Sequence, residues 1–115
     1  MTTEQQRKML ECAAKACGIE GHYNSITDVI YLDNGFGGER RWWNPLTNPA
    51  DCADMCAKLE IDTTWLEYER MECGAYLNRE EDYERCEVSI KDHDNSHLKA
   101  WMYAATMVAA KTQGY

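Results

Sequence analysis

The chain reads as an α+β domain: a mostly antiparallel sheet of about five strands and three helices, in the order α-β-β-α-β-β-β-α. Three observations lead there. Small apolar residues recur at helical spacing near both ends and in the middle of the chain, and period-two alternation marks segments between them. The connections between those segments have hairpin length, which suits antiparallel pairing. At 115 residues this is a single domain, 1–115, large enough for one core.

The first helix is expected from about Thr3 to Cys17, where Leu10, Ala13, Ala14 and Cys17 make one apolar stripe and Gly18 is a natural stop. A strand follows around Val29-Ile30-Tyr31-Leu32, within 23–33. Asn34-Gly35-Phe36-Gly37-Gly38 is read as a turn and Arg40-Arg41-Trp42-Trp43 as the returning strand. Adjacent tryptophans in a strand point to opposite faces. Trp43, beside the next turn, is assigned to the core, and Trp42 is left open.

The second helix, about Pro49 to Leu59, carries the strongest local signal. Asn48 is suited to accept hydrogen bonds from the first-turn N–H groups, Pro49 loses nothing at the first helical position, and Asp51 complements the helix dipole. Its apolar side is Cys52, Met55, Cys56 and Leu59, with Asp54 and Lys58 outside. Three strands are then expected, around Leu66 and Tyr68, around Cys73, Ala75 and Leu77, and over Cys86–Ile90, with 78–82 as a loop. The last helix, from Asn95 or Ser96 to Gln113, presents Leu98, Trp101, Met102, Ala105, Val108 and Ala109. Whether helices cover one sheet face or both is not legible from periodicity.

An apolar fraction of 44% and four tryptophans favour a packed core. No run nears the ~18 apolar residues of a membrane span, and Met1–Gln6 lacks the basic-then-apolar pattern of an export signal. The expected setting is cytoplasmic. The cysteines of the two early helices sit among alanines, as buried thiols in a reducing compartment do.

Net charge is −8, and residues 60–87 hold ten acids against three arginines, a local balance of −7. Phosphate binding needs the opposite sign, so direct nucleic-acid contact is disfavoured. Glu67, Glu69, Glu72, Glu80, Glu81, Asp82, Glu84 and Glu87 are the candidate contacts of an acidic surface, with Trp65 or Tyr83 as an apolar anchor.

Catalytic signals are weak. Three histidines and six cysteines form no local nucleophile signature. His22 is read as a loop residue, and Gly35-Phe36-Gly37-Gly38 lies in a hairpin rather than before a helix, where phosphates bind. Cys52/Cys56 and His93/His97 each repeat a metal-ligand type after one helical turn, so a Cys2His2 zinc site is the chemical alternative. The main expectation is no metal, no cofactor and no enzyme activity.

Three segments, AAKACGIEG (13–21), RWWNPLTNPADCADMCAKLEI (41–61) and HLKAWMYAATMVAAKTQG (97–114), resemble the phage ABA sandwich domain family of small phage and prophage proteins. More loosely they resemble NinX-like phage proteins. The resemblance implies an α-β-α sandwich with helices on both sheet faces, and expression in the cytoplasm of an infected bacterium. It supplies no catalytic residues. Together with the acidic segment it leads to an expected role as a phage accessory or counter-defence protein. Such a protein would inhibit a host protein with a basic surface, for example in a CRISPR complex. The alternative is a small metal- or ligand-binding phage protein.

Overall fold

The computed structural model describes the backbone of residues 2–36, 40–67, 69–78 and 82–115, and the side chains of 2–33, 42–66, 69–74 and 83–115. Helix α1 (Thr3–Ala16) precedes strands β1 (Gly21–Asn24), β2 (Val29–Phe36) and β3 (Arg40–Trp43). Helix α2 (Pro49–Leu59) precedes β4 (Asp62–Glu67), β5 (Arg70–Asn78) and β6 (Asp82–Ser89). A short 3-10 helix, Ile90–His93, then leads into α3 (His97–Lys111).

Local signals place the helix ends. Thr2 and Gln5 form a reciprocal capping box at the start of α1, and Gly18 follows it at φ +70°, a left-handed conformation that glycine adopts without a Cβ penalty. The Asn48 side chain accepts from the N–H groups of Ala50 and Asp51, and Ser96 accepts from Lys99 N–H.

The expected single sheet of about five strands is corrected. The described residues form two antiparallel three-stranded sheets, β1-β2-β3 and β4-β5-β6. The additional strand is β1, where Gly21–Asn24 pairs with Val29–Leu32. His22 therefore lies in a strand, its ring 6.3 Å from that of Tyr31, not in a loop. Strand β2 continues through Phe36, into the segment read as a turn. Strand β4 starts at Asp62, earlier than the Leu66–Tyr68 alternation indicates, because Thr63 and Thr64 add β-branched residues. Tyr68 is outside the described residues. Ile90 begins the 3-10 helix instead of ending the strand.

The layering also departs from helices on both faces of one sheet. Helix α1 packs on β1 and β2 and on α3; α3 packs in turn on β5, β6 and α2. Helices thus link the two sheets. Ile30 and Trp43 of the first sheet and Met71, Cys73 and Val88 of the second are buried in one core with Met9, Leu10 and Met55.

Helix α3 lies at the centre of these contacts, so its buried residues are not confined to one stripe. Ala100, Met102, Ala104, Ala105, Thr106, Val108, Ala109 and Ala110 are all buried, the pattern of a helix covered on several sides. Its alanines keep neighbouring elements close, and the buried Thr106 hydroxyl donates to the Met102 carbonyl of the preceding turn.

Candidate functional site

Strand register divides the second sheet into two faces. Met71 is opposite Val88 and Cys73 opposite Cys86, with Met71 and Cys73 fully buried beneath α3. The alternate positions must point the other way. On that outer face Arg70 is opposite Ser89, Glu72 opposite Glu87, and Gly74 opposite Arg85; Asp62 and Thr64 of β4 join them. Asp62, Thr64, Arg70, Arg85 and Glu87 are exposed.

The outer face is a lattice of opposite charges, not an array of bare acids. Glu87 pairs with Arg70, and Glu72 lies 3.7 Å from Arg85 and accepts from the Tyr83 hydroxyl at 3.1 Å. Tyr83 lies over Gly74, in the space a Cβ would take. That is the packing reason for glycine in this strand.

The expected acidic contacts separate accordingly. Glu72, Glu87 and Tyr83 share the outer face. Glu84 belongs to the opposite face, opposite Ala75, and is half-buried. Glu69 is exposed in the turn joining β4 to β5, where its carbonyl accepts from Ile90 N–H. Glu67 and Asp82 lie at strand ends, but their side chains, like Glu80 and Glu81 altogether, fall outside the described residues.

Trp65 lies opposite Met71, on the α3 side of the sheet and not on the outer face with Glu72, Glu87 and Tyr83. It is 53% exposed, and its ring is 5.3 Å from that of His97 in the first turn of α3. Leu66 and Leu98, the chain neighbours of this pair, are also exposed. Periodicity assigned Leu98 to the core stripe. It stands outside because it occupies the first turn of α3, while burial begins at Ala100.

The zinc alternative finds little geometric support. Cys52 and Cys56 lie on α2, while the His93 ring packs 4.7 Å from Tyr103 and His97 packs on Trp65. Among the described residues, no group of three or more His, Cys, Asp or Glu side chains is placed to hold a metal ion. No helix among the described residues is long and apolar enough to cross a membrane. No family model matches this chain, and no curated protein or solved structure is significantly similar to it.

The thiols respond to burial. Cys17 and Cys73 are both pushed up to about 11, chiefly by desolvation, and burial also raises Cys86. Cys56 is lowered because the Cys52 thiol hydrogen-bonds to it, and Cys52 is raised by the same contact.

A cleft of about 310 Å³ lies between α2 and the first sheet. Ile19, Leu32, Trp42 and Met55 supply apolar walls, and Asp54 and Lys58 stand at it from α2. Trp43 is buried as expected, whereas Trp42 is 52% exposed beside this cleft.

Proposed function

We propose that this chain is a non-catalytic binding protein that docks on a basic surface of a host protein through the β4–β6 sheet and its Trp65 edge. The observation that carries this reading is Trp65, a large apolar ring left half-exposed but held in place by His97, beside the most acidic part of the chain. An oriented aromatic within a polar rim is the usual anatomy of a binding hot spot. The arginine pairs moderate the field of Glu72 and Glu87, yet residues 60–87 keep a balance of −7, which favours a positive partner and speeds encounter with it.

With the resemblance of its sequence segments to small phage proteins, we read this activity as one exerted in an infected bacterium. The partner is then a host defence component with a basic groove, of the kind that CRISPR complexes use to hold nucleic acid. Affinity capture from host lysate at low and high salt tests the proposal. A basic protein retained at low salt, released by salt and lost with Trp65→Ala is the expected result. Equal capture by the Trp65→Ala variant would remove the anchor, and capture indifferent to salt would remove the electrostatic part.

A second reading, small-ligand binding, is favoured by the Trp42 cleft, whose apolar walls and the charged residues Asp51, Asp54 and Lys58 fit a compact amphipathic molecule. Thermal-shift screening of Trp42→Ala beside the unaltered chain separates the readings, because Trp65→Ala leaves this cleft intact.

A further inference from the structure

Cys73 and Cys86 face each other directly across β5 and β6. Directly opposed residues of an antiparallel pair project to the same side of the sheet, here the side covered by α3. The Ile90 N–H bond to the Glu69 carbonyl continues the ladder by one pair and fixes its alternation. Counting from it, Cys73–Cys86 is a hydrogen-bonded pair, with Cα atoms about 5.5 Å apart. Disulfides form across Cα separations of about 4.4–6.8 Å. Directly opposed Cβ atoms lie about 4.5–5.5 Å apart, against the 3.5–4.5 Å or so of a relaxed disulfide, so the link closes only with a local adjustment of the two strands and is readily reduced.

The two thiols differ in access. Cys73 is fully buried. Cys86 is half-buried and lines an open cavity of about 540 Å³ with Val88, His93 and Tyr103. Burial raises the Cys86 thiol, and Lys111, whose ammonium donates to the Arg85 carbonyl at 3.1 Å, offsets part of that rise.

We propose that Cys73 and Cys86 are a reversible thiol modification site, closing to a cross-strand disulfide when a small glutathione-type disulfide enters the cavity beside Cys86. The Cys86 thiolate attacks one sulfur of that molecule, breaking its S–S bond and expelling one thiolate. The Cys73 thiolate then attacks Cys86 Sγ in the mixed disulfide and expels the second. Two protein thiols are oxidised to one disulfide, one small disulfide is reduced to two thiols, and the two protein protons pass through solvent to the released thiolates.

The test is incubation of the folded chain with oxidised glutathione, followed by alkylation, intact mass and peptide mapping. The expected product has lost two hydrogens, carries a Cys73–Cys86 link and returns to the starting mass with dithiothreitol. Cys73→Ser should stop at a single glutathione adduct on Cys86, and Cys86→Ser should gain no adduct at Cys73. Circular dichroism verifies that each variant is folded. A product joining Cys73 to Cys52 or Cys56, or an unaltered chain with no mass change under conditions that oxidise a free dithiol peptide, would overturn the proposal.

Discussion

The backbone N–H of Asn44 donates to Oδ2 of Asp51 at 3.0 Å, and both residues are buried. This bond ties the end of β3 to the first turn of α2. The Asn44 side chain adds two more ties, donating to the Asp28 carbonyl at 2.7 Å and accepting from Leu46 N–H at 2.8 Å. One residue thus joins the β1–β2 turn, the Pro45 turn and α2. Asn44→Ala would leave both backbone groups without these partners, at a cost of about 2–3 kcal/mol. Asp51→Ala would cost a similar amount, and Asp51→Asn, which keeps an acceptor, less. Urea denaturation measures all three; a loss under about 0.5 kcal/mol for Asn44→Ala would mean that water replaces its bonds.

The cap of α2 is separable from that network. Asn48 Oδ1 accepts from Ala50 and Asp51 N–H at 2.9 and 3.1 Å. Asn48→Ala should destabilise by about 1 kcal/mol, and Asn48→Gly by only a few tenths. The ordering of these two variants by thermal melting is the diagnostic, since a packing role would make glycine the worse substitution.

Which features were legible follows from the range of the interactions that create them. The ends of α2 are decided within a few residues, so Asn48, Pro49 and Asp51 announce them directly. Ser96 and Gly18 do the same for the other two helices. Strand β1 was not legible, because Gly21-His22-Tyr23-Asn24 has no β-branched residue and is held as a strand by pairing with β2. The division into two sheets is a long-range choice with no local signature. In the site, the sequence singles out Trp65 as a candidate, but its contact with His97 depends on α3 meeting the end of β4. The arginine pairing of Glu72 and Glu87 likewise depends on β5–β6 register, which charge counting does not contain.

Helix α3 gives a contrast between its first turn and its middle. Ala109 is fully buried and Leu98 is 47% exposed, although both fall on the same sequence stripe. Ala109→Leu must force neighbouring elements apart and should cost about 1–3 kcal/mol or more. Leu98→Ala should stay within about 0.5 kcal/mol, while weakening capture of a partner that docks at the Trp65 edge. Stability and pull-down measured on both variants distinguish a packing position from an interface position; a large stability loss in Leu98→Ala would assign it to the core.

The buried thiols set an alkaline limit. Cys17 and Cys73 rise from 9.0 to about 11 in the folded chain because burial disfavours the thiolate. Between those values the unfolded chain has released both protons while the folded chain retains them. The unfolded state then binds fewer protons, so stability must fall as pH rises. The contribution is fully present below about pH 9 and is lost progressively up to about pH 11. Urea midpoints taken across this range under reductant should decline, and Cys17→Ala should decline less steeply, by up to one proton in the linkage slope. Equal slopes for the two proteins would mean that the Cys17 thiol is already ionised, or open to solvent, in the folded state.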